Sequence, residues 1–160
     1  MLRVTRSRTL PVPAATLWDV VSRPERLSEW LPYAESVEVL EGSFPLGIGQ
    51  RRRMHGHWRK RQSEIDQRIT ALELERRIAW VHEAERLDGR PAPRFAASTT
   101  FTVQLDPVGE STVVTLTSEQ EPASRLRGLV MRMFSVRELG GAYERALDAL
   151  EAATRPGSAA

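Results

Sequence analysis

The chain offers few residues whose types and spacing invite chemistry: three histidines, His55, His57 and His82, an arginine run at Arg51-Arg52-Arg53, a glutamine at Gln67 and a tyrosine at Tyr33. There is no cysteine, so thiolate metal sites, disulfides and a cysteine nucleophile are excluded. His55-Gly56-His57 has the two-residue period of a strand, which turns both rings to one face and could in principle seat a metal. Arg51 and Arg53 share that face, no third ligand is visible, and the expectation is a solvated outer face with no metal and no cofactor. The opposite face of the same strand carries Arg52, Met54, Gly56 and Trp58, making Arg52 an odd inward charge. It can reach out to a cavity mouth, pair with a carboxylate, or bind an anionic group of a ligand. His82 shares its face with Ile78 and Trp80, and reads either as a satisfied interior histidine or as a proton-transfer or ligand-bonding group. Gln67, between Ile65 and Ile69, faces inward too.

These residues need elements to hold them. Residues 3–10 alternate as a strand, 14–22 and 25–30 form two short helices separated by Arg23-Pro24, and a two-residue period then governs 36–41, 50–58, 60–72, 77–85, 94–105 and 111–120. The Pro-rich segment 86–93 reads as a long, mobile connection. The last long stretch, 123–154, has no internal proline and places Leu126, Leu129, Val130, Met133, Val136, Tyr143, Leu147 and Leu150 in one broad stripe. Ser124 or Glu121-Pro122 can start that helix and Arg155-Pro156-Gly157 stops it. Seven strands and a long terminal helix make an α+β domain over 1–155, followed by a disordered tail at 156–160. The stripe at Leu126, Leu129, Met133 and Leu147 is expected to pack on one curved sheet. Gly140 and Gly141, central in the helix, mark either close packing or a bend, or else room for a ligand.

Composition narrows the classes. With 160 residues, 41% hydrophobic and 28% charged, the chain is long enough for one ordinary core. No run of eighteen apolar residues and no apolar-centred leader is present, so the expectation is a cytoplasmic protein without stable membrane insertion. Nucleic acid is an unpromising partner: the net charge is +2, alternation splits the arginine runs between two faces, and no stacking platform is evident. Phosphate loops, dinucleotide fingerprints and nucleophile elbows are absent.

Four stretches carry a resemblance: Leu10-Pro11-Val12-Pro13-Ala14-Ala15-Thr16-Leu17-Trp18-Asp19-Val20, Trp30-Leu31-Pro32, Gly47-Ile48-Gly49 and Arg76-Arg77-Ile78-Ala79-Trp80. In order and spacing they resemble the START-like or SRPBCC superfamily, polyketide cyclase/dehydrase branch. The resemblance implies a helix-grip fold, in which a seven-stranded curved antiparallel sheet wraps around a long C-terminal helix with a hydrophobic cavity between the two. It implies that segment 86–93 gates that cavity. It also implies a cavity tyrosine near Tyr33 and an interior arginine on a central strand; Arg68 is near in sequence, but alternation turns it outward. Members of that superfamily bind lipids and hormones or act as cyclases and dehydratases, so fold alone selects no chemistry.

The leading expectation is binding of a small hydrophobic, amphipathic or aromatic molecule by a monomer or homodimer. Its site would be lined by Tyr33, Arg52, Met54, Gln67, Trp80, His82, Phe101, Met133, Phe134 and Gly140. The alternative is a cofactor-free polyketide cyclase or dehydratase using Tyr33, His82 or Arg52 as acid and base. A third reading is an interaction module whose cavity is structural.

Overall fold

The computed structural model describes residues 1–42, 47–94 and 96–156. Its strands are β1 (Leu2–Leu10), β2 (Ser36–Glu41), β3 (Arg51–Trp58), β4 (Arg61–Glu73), β5 (Arg77–Leu87), β6 (Arg90–Pro91), β7 (Ala96–Val108) and β8 (Ser111–Pro122). All pair antiparallel in one sheet of order β1-β8-β7-β5-β4-β3-β2, with the two-residue β6 added to β5. Register shifts at Val39/Glu41, Asp66/Gln67, Ile69/Ala71 and Ala96/Ser98 bend the strands they interrupt. Two short helices, α1 (Ala14–Val21) and α2 (Leu27–Trp30), follow β1 with a 3-10 turn between them. The long helix α3 (Arg125–Ala153) closes the fold. The seven long strands, the helical elbow and the terminal helix are those the alternation predicts. The end of the tail, residues 157–160, lies outside the described residues.

The inward face of the sheet follows the period of two. Val103, Leu105, Val114, Leu116, Ile78 and Trp80 are all essentially inaccessible. Opposite them sit Ala142, Tyr143, Ala146, Leu147 and Leu150 from the C-terminal half of α3. Ser124 caps the helix by accepting a hydrogen bond from the Arg127 amide, and at the other end the Thr154 hydroxyl donates to the Leu150 carbonyl.

The N-terminal half of α3 departs from expectation. Leu126, Leu129 and Met133 are 73%, 57% and 67% exposed, and Met131 is the buried side chain of that half. The expected stripe packs from Val136 onward, with Val136 and Leu139 half-buried against the core. α3 lies against β1, β8 and α2, and the exposure of these side chains shows that its first turns are left largely uncovered by them.

The connection after β5 also differs from the mobile loop expected. β5 and β6 form a hairpin whose turn is Asp88-Gly89, both at positive φ of 51° and 77°, the backbone that an Asp-Gly pair favours. The Asp88 carboxylate accepts from Arg61 and from the Gln62 amide, tying the turn to the start of β4. That anchoring removes the ground for a gate there.

Candidate functional site: a buried arginine in a polar row

Register places three polar side chains in one line across the inward face. Arg52 of β3 stands opposite Gln67 of β4, which stands opposite His82 of β5. The neighbouring line is Ile69, Trp80, Phe101 and Ser118, running from β4 through β5 and β7 to β8. A polar row therefore lies against an aromatic one.

Arg52 is the centre of this arrangement. It is 0% exposed, its Nε donates to Gln67 Oε1 at 2.9 Å, and its guanidinium lies 4.5 Å from the centroid of the Trp80 ring. Both Nη atoms are buried and without a hydrogen-bond partner among the described residues. Burial pushes its pKa down to about 10, which still leaves it charged at neutral pH. Two of the three outcomes open to an inward arginine are thus corrected: Arg52 does not reach solvent and pairs with no carboxylate among the described residues. The sequence allows both because alternation fixes the face of a side chain but not the depth of the strand that carries it.

Around the arginine the rings form a chain. Trp80 and Phe101 lie 4.7 Å apart, and Phe101 meets Tyr143 of α3 edge-on at 5.4 Å. Burial pushes the Tyr143 phenol up to about 12, opposed by a hydrogen bond with Ser118. Met54 is buried, with its sulfur 3.9 Å from the Gln67 amide nitrogen.

Tyr33 enters from the segment after α2, its ring 5.3 Å from Trp58. A glycine makes this possible. A Cβ at Gly56 would stand 1.6 Å from the Tyr33 carbonyl oxygen, so only a residue without one lets that backbone cross β3 so closely. The Tyr33 hydroxyl is buried with no partner among the described residues, and burial raises its pKa. Trp30 Nε1 is a further buried donor in the same condition.

The row reaches solvent at His82. Its side chain is 17% exposed, and Nδ1 lies 2.8 Å from Glu85 Oε1, an interaction that holds the Glu85 carboxyl below its usual range. His82 is thus partnered at the solvent end of the row rather than enclosed in the interior. β5 pairs with β7 only from Arg77 to Val81 and then turns to β6, so His82 stands where the two strands part.

Three expected lining residues are corrected. Met133 and Phe134 are 67% and 64% exposed on the uncovered half of α3 and do not enclose the interior. Gly140 is buried, but the volume its missing side chain frees is taken by Arg6 of β1, whose Nη2 lies 2.4 Å from where a Cβ would stand. The glycine makes room for protein rather than ligand.

The outer face is an ion-pair lattice. Arg51 bonds Glu41 and Glu83, Arg53 bonds Asp66, Arg68 bonds Glu83, and Arg86 bonds both Glu64 and Asp66. His55 lies beside Glu38 and Glu64, and His57 bonds Glu35. Arg51 and Arg53, the outward members of the run at 51–53, are spent on these carboxylates, and Arg68 points outward as alternation requires. A separate open hollow of about 570 Å³ lies between α1 and the end of α3, lined by residues such as Pro13, Thr16 and Arg155; none of the interior groups lines it. Sequence reasoning missed Trp30, Glu85 and the polar end of Tyr143 as site residues. The tyrosine is readable only as part of the helix stripe.

A sheet that grips a terminal helix over a polar and aromatic interior is the helix-grip fold. The chain belongs to the polyketide cyclase / dehydrase and lipid transport family, whose model matches residues 1–155. Among solved structures it is similar to TTHA0849 of Thermus thermophilus, with 20% identity, a TM-score of 0.72 and coverage of 96% of this chain and 97% of that one. It is similar also to Ara h 8.0201, at 16% identity and TM-score 0.72, over 96% and 97% of the two chains. A START superfamily protein from Mycobacterium smegmatis matches at 15% identity and TM-score 0.72, over 93% and 94%. At these identities the likeness concerns the fold. No curated protein matches the sequence.

Proposed function

We propose that residues 1–155 act as one unit that binds a small hydrophobic or aromatic molecule bearing an acidic or strongly hydrogen-bond-accepting group. The family supplies the hydrophobic ligand class. The acidic group is argued from one observation, the full burial of Arg52 with both Nη atoms unpartnered. A buried, uncompensated charge costs several kcal/mol, roughly, and a planar fork with two free donors matches a carboxylate or similar anion in two parallel bonds. Tyr33 offers a second donor, and Trp80, Phe101 and Met54 offer the apolar walls. The reading calls for no cofactor.

A second reading, cofactor-free cyclisation or dehydration of a polyketide-like substrate, draws on His82. A histidine beside an orienting carboxylate, Glu85, stands in the row that holds Arg52. His82 would take a proton from carbon while Arg52 and Tyr33 donate to the developing enolate oxygen. His82→Gln would then abolish turnover and spare binding.

The test of the binding reading compares two fluorescent probes, anilinonaphthalene sulfonate and its neutral parent phenylnaphthylamine. Wild-type protein should bind the sulfonate tighter by about tenfold or more, the worth of a charge-assisted bond, and Arg52→Met should erase that preference. Equal affinity for both probes in the wild type, or a preference that survives the substitution, would contradict it.

A further inference from the structure

The uncovered half of α3 presents a surface that the binding reading does not use. Leu126, Leu129, Val130, Met133 and Phe134 are 73%, 57%, 38%, 67% and 64% exposed. On helical spacing they share one side, with Arg127 along one margin and Arg125 and Arg132 along the other, while Arg137 continues the face by one turn. All four arginines are exposed, and among the described residues none of them is ion-paired with a carboxylate. The Arg127 guanidinium bonds the backbone carbonyl of Arg94, which ties that margin of the helix to the chain just ahead of β7. Residues 125–137 hold four arginines and no carboxylate in a chain of net charge +2, so the rest of the chain is net acidic.

We propose that this face docks on an anionic lipid surface, lying in the plane of the headgroups with the apolar side chains below them and the arginines along the margins. Three observations select this occupant. A helix with bulky apolar side chains on one side and arginine at both margins is built to lie at such a boundary, since the long arginine stems let the charge stay with the phosphates. A second copy of the chain would bring four unpaired cations against four more, and like charges disfavour that pairing. No helix of the described residues is long and apolar enough to cross a membrane, so the contact is peripheral.

Co-sedimentation with vesicles tests this directly, using phosphatidylcholine alone and phosphatidylcholine mixed with phosphatidylglycerol. Wild-type protein should sediment with the mixed vesicles and stay free with the neutral ones, and high salt should release it. Each arginine near such a surface strengthens binding about fivefold, so Arg132→Glu with Arg137→Glu should weaken it by more than about twenty-five-fold. Met133→Ser with Phe134→Ser should weaken it by about tenfold or more without changing the melting temperature, because both side chains are already in water. Phe134→Trp gives an independent readout: the difference in emission between this variant and the parent, which already holds four tryptophans, should move to the blue on mixed vesicles only. Sedimentation that is absent, or equal with both vesicle types, overturns the proposal. So does a concentration-dependent dimer in analytical ultracentrifugation that the Met133/Phe134 variant abolishes, which would assign the face to a second copy.

Discussion

At Arg52 two energies oppose each other. Desolvating a guanidinium costs several kcal/mol, roughly, and among the described residues the protein returns one hydrogen bond, accepted by Gln67, and a ring face, from Trp80. If the residue served the fold alone, an apolar side chain of similar length would do better. Removing the arginine by itself strands the Gln67 oxygen, so the informative variant is Arg52→Met with Gln67→Leu. It should raise ligand-free stability by about 1–4 kcal/mol in urea unfolding; a loss of that size would make the arginine a structural strut instead. The inward direction of Arg52 is legible in the sequence because β3 alternates cleanly through Met54 and Gly56. Glu85 is not legible: Asp66 faces Ala84 and Gln67 faces His82, so the slip skips Glu83 and shifts the alternation that runs through Ile78, Trp80 and His82. Gly140 gives the converse case. Its missing side chain can be read from sequence, but the Arg6 side chain that fills the space comes from a strand more than a hundred residues earlier in the chain.

The long helix shows what periodicity can and cannot decide. Leu129 and Leu147 are eighteen residues apart, about five turns, and so point to the same side of α3. One is 57% exposed and the other 0%. Pattern names the side but not the length of sheet available to cover it. Leu147→Asp should therefore cost more than about 4 kcal/mol and unfold the protein, because it buries a charge with no partner. Leu129→Asp should stay within about 0.5 kcal/mol of wild type by thermal melting. Equal destabilisation of the two would mean that the whole helix packs. The turn between β5 and β6 was hidden for a different reason. A proline-rich stretch reads as a loop, yet Asp88-Gly89 supplies the two positive φ values of a tight hairpin and Pro91 sits in an edge strand of two residues, where its missing amide is tolerated.

Across the whole molecule, charge is sorted by face. Among the described residues, the outer side of the central strands neutralises its arginines in pairs, the exposed end of α3 leaves its own unpaired, and the interior holds Arg52 with two idle donors. Only the last of these bears on the ligand, and it predicts that the native cargo is an acid or carries a strongly accepting group. Native mass spectrometry of freshly purified protein, wild type beside Arg52→Met, tests that most directly. The wild type should carry a co-purified small molecule that is detected as an acid when released, and the variant should have lost it. A neutral molecule held equally by both proteins would contradict the assignment of Arg52 to the ligand.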